Sequence, residues 1–183
     1  MIKIKKIIKV NNMVVEVSPL VHIEIVVPDA DKAYEFLNRV FGAKKVEENL
    51  ANYLSRSPAV KVVHVQLGNV ILQFVEPLKE GTLWADHLKK KGPGVHNLNF
   101  HVKDIKEVAK IFKQEGLKTL FKLRVDRIQY MDPEVLRPNI PPVYMLEGEN
   151  IVGFRFELQE IPYKKDKIPE GHQIKPSYDL KRE

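Results

Sequence analysis

Val21-His22-Ile23-Glu24-Ile25-Val26-Val27-Pro28-Asp29 recurs in degraded form as His96-Asn97-Leu98-Asn99-Phe100-His101-Val102-Lys103-Asp104. Each is an alternating strand that closes on an aspartate and runs into a helix. With Asp29 laid over Asp104, His22 falls on Asn97, Glu24 on Asn99 and Val27 on Val102. The following helical patterns match until a glycine, Gly42 over Gly116, one residue short. A repeat of this kind means two copies of one supersecondary unit. It also pairs the positions of the two copies that share a strand face.

Working outward from the first copy, Asp29 caps a helix whose apolar positions Ala33, Phe36, Leu37, Val40 and Phe41 follow helical spacing, and Gly42 ends it. Strands are expected over about 44–50, 60–67 and 70–76, the last two joined by Gly68-Asn69. A linker helix over roughly 82–91 carries Leu83, Trp84 and Leu88, and Gly92-Pro93-Gly94 breaks it. The second copy starts at about Val95. Its helix follows Asp104 with Ile105, Val108, Ile111 and Phe112 inward and Gly116 as terminator, and strands are expected near 118–124, 143–146 and 153–160. The proline-bearing stretch 125–142 is long for a loop in a compact domain, and such loops are often functional. The order is therefore strand, helix, three strands, linker, then the same again. This predicts an α+β fold of two βαβββ modules. Residues 1–18 form an arm or extra strand, 19–161 the main domain (modules 19–78 and 94–161, linker helix 82–92), and 162–183 an extension.

Period-two alternation sorts each strand into faces. Ile23, Ile25 and Val27 are uniformly apolar and should take the helix, so His22 and Glu24 look the other way. The same sorting gathers His64, Gln73, Asn97, Asn99, His101, Arg155 and Glu157 on inner faces. His96 falls on the helix side of its strand unless a bulge turns it. Burying so many polar groups unpaired would cost about 1–3 kcal/mol each, so water, a ligand or a metal must satisfy them.

The composition narrows the partners. The chain has 183 residues, no cysteine and a formal net charge of +6. Without cysteine there is no disulfide, thiolate ligand or thiol nucleophile, which fits a cytoplasmic chain. No apolar run is long enough to cross a bilayer. The positive charge is spread among acids rather than set in an aromatic-and-arginine stripe, which argues against nucleic acid and for a small-molecule ligand.

These residues resemble the vicinal oxygen chelate superfamily, which includes glyoxalase I, methylmalonyl-CoA epimerase and the extradiol dioxygenases. The resemblance runs from about Leu20 to Ile161. It is carried by His22-Ile23-Glu24-Ile25-Val26-Val27-Pro28-Asp29, Leu67-Gly68-Asn69 with Gln73-Phe74-Val75-Glu76-Pro77-Leu78, Gly94-Val95-His96-Asn97 and Gly153-Phe154-Arg155-Phe156-Glu157-Leu158. Strand order and turns are most similar to the methylmalonyl-CoA epimerases. The resemblance implies a curved mixed sheet around a central cleft, the glyoxalase/bleomycin resistance-like arrangement, and a homodimer. By position it implies metal ligands at His22, Gln73, Asn97 and Glu157, holding Co, Mn, Ni, Zn or Fe. Glu157 and His64 are the candidate proton carriers, and the inward-facing Glu24, Asn99, His101 and Arg155 the candidate substrate contacts. Two positions depart: Asn97 stands where histidine is usual, and Val62 lies near the place of a third-strand carboxylate.

The resulting expectation is a metal-dependent isomerase, epimerase or lyase, working on a small oxygen-rich acid or acyl-CoA-like thioester through a stabilised enolate. The alternatives are a non-catalytic small-molecule binding protein on the same fold, or an extradiol or hydroxyphenylpyruvate-type dioxygenase.

Overall fold

The computed structural model describes residues 15–46, 58–123 and 143–160. The elements are β1 (His22–Val26), α1 (Ala30–Phe41), β2 (Lys44–Lys45), β3 (Val60–Leu67), β4 (Val70–Pro77), α2 (Leu83–Lys91), β5 (Gly94–Val102), α3 (Ile105–Gln114), β6 (Thr119–Leu123), β7 (Val143–Leu146), α4 (Glu149–Val152) and β8 (Arg155–Glu160). One mixed sheet holds the strands in the order β2-β3-β4-β1-β5-β8-β7-β6. β1 runs parallel to β4, β5 runs parallel to β8, and β1 and β5 meet antiparallel at the centre. The second half thus mirrors the first across the β1–β5 seam, as a duplicated βαβββ unit requires.

The helices form where the capping residues put them. Asp29 accepts from the Lys32 N–H, and Asp104 accepts from the Lys106 and Glu107 N–H groups. The apolar faces then pack outward as the alternation demands. Ile25 and Val27 join Ala30, Ala33, Leu37, Val63, Val65 and Phe74 under α1. Phe100 and Val102 join Ile105, Val108, Tyr144, Leu146 and Leu158 under α3. The inner face is left polar, and α2 lies against it over β1, β4 and β5.

The structure corrects several expected details. In α1, Phe36, Val40 and Phe41 are about half exposed or more rather than part of one buried face. The helix rests its Ala33–Leu37 stripe on the sheet, and Phe36, one residue back, points about 100° away. Ile111 and Phe112 are half-buried. α3 ends at Gln114, and Gly116 (φ 81°) follows its Glu115 cap. β8 begins at Arg155, two residues late, because α4 and the left-handed Gly153 (φ 85°) precede it. The expected strand over 44–50 is described only as Lys44–Lys45. The loop 125–142, the tail 162–183 and most of the amino-terminal arm lie outside the described residues. From that arm, Val17 bridges Val102 at the end of β5.

Gly148, which opens α4, is fixed by space rather than by its φ. A β-carbon there would stand 2.6 Å from the Phe154 carbonyl oxygen and 2.8 Å from the Phe156 ring. Gly148→Ala therefore overpacks the corner leading into β8. It is expected to cost about 1–3 kcal/mol in urea unfolding. A variant as stable as the parent would show that this corner can move.

Candidate functional site

β1 and β5 bring the two copies of the opening phrase face to face, with His22 opposite Asn99 and Glu24 opposite Asn97. The flanking parallel strands extend this face. β4 sets Gln73 beside Glu24, and β3 sets His64 beside Gln73. β8 sets Arg155 beside Asn97 and Glu157 beside Asn99. His22, Glu24, His64, Gln73, Asn97, Asn99 and Glu157 are all buried. The His22 Nε2 lies 3.5 Å from Glu157 Oε2, and the rings of His22 and His64 are 6.0 Å apart. Gln73 reaches His64 through its Nε2, 3.0 Å from the imidazole Nε2. The four expected ligands, His22, Gln73, Asn97 and Glu157, thus all lie buried on this face of adjacent strands. His101 sits further along β5, half-buried, beside Gln159. Val62 pairs with Val75 in this sheet and has no proton to give.

A second cluster adjoins the patch, and it was only partly legible in the sequence. The β1–β5 register slips between Glu24 and Ile25, so that Glu24 faces Asn97 and Ile25 faces Val95. The extra residue is His96. This bulge turns the imidazole off the helix side, where plain alternation would place it, and onto Glu24. Glu24 Oε1 accepts from His96 Nδ1 at 2.6 Å, Asn97 Nδ2 at 2.7 Å and Trp84 Nε1 at 2.8 Å. Arg155 donates from Nη1 to His96 Nε2 and from Nε to Glu149. Glu24 and Arg155 thus have no direct pair; His96 stands between them. His87 on α2 stacks edge-on against His96, ring centres 5.2 Å apart. Trp84 gave one usable sequence signal: a buried indole N–H needs an acceptor.

The charges follow from burial. Loss of water pushes the Glu24 carboxyl up to about 8, aided by Glu157 and opposed by the Trp84 hydrogen bond. Burial pushes His64 down to about 4, with His22 adding to it, and pushes His96 down to about 4, with Arg155 adding to it. His87 falls to about 4 for the same leading reason. At neutral pH the 2.6 Å Glu24–His96 contact is therefore a hydrogen bond between a carboxylic acid and a neutral imidazole, rather than an ion pair.

A pH profile of stability follows from these directions. Histidines held below their unfolded value of 6.5 contribute stability that is complete above pH 6.5 and is lost as pH falls through about 4. Glu24 acts oppositely: its contribution is complete below 4.5 and is lost as pH rises through about 8. From pH 6.5 down to 4, His64 and His96 should therefore each remove on the order of 3 kcal/mol from the metal-free chain, and Glu24 should return part of that loss. Urea unfolding across that range tests this. A flat profile in a Glu24→Gln background, where the opposing carboxyl is gone, would mean that neither ring is buried neutral.

What this patch lacks is hydrogen-bond partners. Gln73 Oε1, Asn97 Oδ1, Asn99 Oδ1 and Glu157 Oε2 are buried with no hydrogen-bond partner, as are both nitrogens of His22 and Nδ1 of His64. Four oxygens that can only accept, beside an imidazole, call for a cation or for donors brought in by a ligand. Among the described residues no three His, Asp or Glu side chains are gathered to hold a metal by themselves. An ion here would have to draw on the amide oxygens too. The donor set of imidazole, carboxylate and amide oxygens suits a divalent ion of intermediate softness. An open groove of about 360 Å³ lies elsewhere, between the end of β4 and α2, and contains none of these residues.

The family model for the Glyoxalase/Bleomycin resistance protein/Dioxygenase superfamily matches residues 21–128. The chain belongs to this superfamily. Like other members it joins paired βαβββ modules, and the β1–β5 seam where its polar face lies is the join. The mitochondrial methylmalonyl-CoA epimerase of Bos taurus is 36% identical over 101 residues, which are 54% of this chain and 55% of that protein. The chain spans about half the length of that curated relative. The crystal structure of methylmalonyl-CoA epimerase from Mycobacterium tuberculosis shares the fold at a TM-score of 0.55 and 21% identity, over 79% of this chain and 88% of that one. A variant of the Streptomyces coelicolor epimerase, solved with 2-nitronate-propionyl-CoA, shares it at 0.55 and 20%, over 79% and 98%. Among the described residues no helix is long and apolar enough to cross a membrane.

Proposed function

We propose that this superfamily member is a metal-dependent isomerase of the epimerase type, acting on an acyl-CoA-like thioester of a small acid. One observation carries the proposal: the buried set of His22, Gln73 Oε1, Asn97 Oδ1 and Glu157 Oε2 on the inner face, none of them with a hydrogen-bond partner. The epimerase relative supports the choice of reaction. Residues 19–161 are taken as the working unit, and a cytoplasmic homodimer as its state.

His22, Gln73, Asn97 and Glu157 would hold the divalent ion. Such an ion supplies Lewis acidity toward a substrate carbonyl. The chain's own part is to exclude water and move a proton. The patch is buried, so electrostatic effects inside it are stronger than in water. Glu157 and His64 are the two groups able to carry a proton from and to the carbon beside the carbonyl. Burial keeps His64 neutral at the working pH, the form a base needs. Asn99 and His101 contact the substrate. Glu24 and Arg155 are engaged within the protein and act through His96 and Asn97.

The test is hydrogen exchange. The chain loaded with Co²⁺ and given methylmalonyl-CoA in D₂O should place deuterium on the α-carbon, and chelator treatment should stop it. Asn97 in place of an imidazole and Val62 in place of an acid favour a second reading, a binding protein without turnover. That reading predicts saturable binding of the thioester with no deuterium uptake.

A further inference from the structure

We propose that Glu24 is a positioning residue that fixes the Asn97 amide, so that Oδ1 rather than Nδ2 is offered to the ion at the His22–Gln73–Glu157 patch. The inference rests on the metal-dependent reading above. It goes further in assigning how an amide serves at a place where an imidazole would be expected.

An asparagine amide has two ends of nearly equal shape, and only the oxygen can ligate a cation. Left free, it would present the wrong end part of the time. A neighbour that can only accept decides the matter, because it must take Nδ2. Glu24 Oε1 is such an atom even in the protonated carboxyl, because the donors around it leave the acid proton to Oε2. Trp84 Nε1 is a donor and nothing else, and it lies 2.8 Å from Oε1. Arg155 is likewise only a donor, and its Nη1 addresses His96 Nε2. That nitrogen must accept, so the ring proton sits on Nδ1 and is given to the same Oε1 at 2.6 Å. Two obligate donors, one at each end of the cluster, thus make Oε1 an acceptor. The Asn97 nitrogen at 2.7 Å is then the only end of the amide that gains a bond there. Oδ1 is left buried and unpartnered. Gln73 differs: its partner His64 can give or take, according to tautomer.

The backbone supports the same conclusion. The bulge opposite Glu24 is what turns His96 inward, and bulges re-aim side chains beside sites. Glu24 also shares a face of β1 with His22, two residues away. Asn97 is completely buried and Glu24 is 1% exposed, so bulk water cannot compete for either end of the amide.

Calorimetric titration of the tag-free chain with Co²⁺, together with the visible absorption of the bound ion, tests this directly. Glu24→Ala and Asn97→Ala should each weaken Co²⁺ about 10–100-fold, the usual cost of losing a partner that orients a ligand. The double variant should be no worse than Asn97→Ala alone. Asn97→Asp placed in the Glu24→Ala background should restore affinity to within a few-fold, since a carboxylate offers oxygen whichever way it turns. Glu24→Leu, which fills most of the space and accepts nothing, should show the same loss and covers the case of Glu24→Ala failing to fold. Wild-type affinity in both Glu24 variants, with affinity lost in Glu157→Ala, would overturn the positioning role and leave the metal reading standing. Loss that Asn97→Asp cannot rescue would also overturn it, as a general structural effect. No Co²⁺ binding by the parent chain would overturn both.

Discussion

Glu157→Ala is expected to leave a folded chain that has lost both its divalent ion and its α-proton exchange. Glu157 is buried on the inner face, with Oε2 unpartnered and His22 Nε2 at 3.5 Å. No described contact of the outer core depends on it, since its strand neighbours Phe156 and Leu158 face the other way. The change therefore removes a ligand and a proton carrier without opening the α3 core. Exchange should fall by about 10²–10⁴-fold, the range for losing a general acid–base group, and further if the ion goes too. Deuterium uptake from D₂O and metal content of the purified variant are the readouts. Parent-level exchange in a metal-free Glu157→Ala chain would remove Glu157 from the chemistry.

The next residue should behave in the opposite way. Leu158→Ala is expected to cost about 2–5 kcal/mol of stability, with little direct effect on the site chemistry of whatever remains folded. Leu158 is 2% exposed and packs with Val102, Ile105, Val108, Tyr144 and Leu146 beneath α3. Against a typical total of about 5–15 kcal/mol, one such cavity brings a domain near its threshold. Urea unfolding gives the loss. The metal affinity of the folded fraction should stay near the parent value. Two adjacent residues, one carrying chemistry and one carrying the fold, are the direct consequence of a strand that alternates between a polar cleft and an apolar core.

That alternation is why so much of the fold was legible. The repeated phrase predicted the mirrored sheet, and the apolar and polar sets of β1, β5 and β8 fell on the faces their period demanded. His22, Glu24, Gln73, Asn97, Asn99 and Glu157 were all readable as inward. What was not legible follows from single-residue irregularities. His96 changes face only because one extra residue enters β5 opposite Glu24, and no composition signal marks a bulge at that place. Trp84 reaches Glu24 from α2, and sequence spacing does not say onto which strands a linker helix will fold. Phe36, Val40 and Phe41 follow helical spacing, yet the sheet beneath α1 takes only a narrower stripe. The histidine-to-asparagine departure at Asn97 is likewise visible in the chain itself. The carboxyl that orients it is visible only once β1 and β5 are paired.

The central claim is that His22, Gln73, Asn97 and Glu157 hold one divalent ion between them. Crystals of the chain grown with Co²⁺ and measured at the cobalt absorption edge test it most directly. The claim predicts one strong anomalous peak on the inner face, about 2.0–2.2 Å from a His22 nitrogen and a Glu157 oxygen, with the Gln73 and Asn97 amide oxygens completing the set. Anomalous density confined to surface histidines or carboxylates, with the inner patch filled only by water, would contradict it.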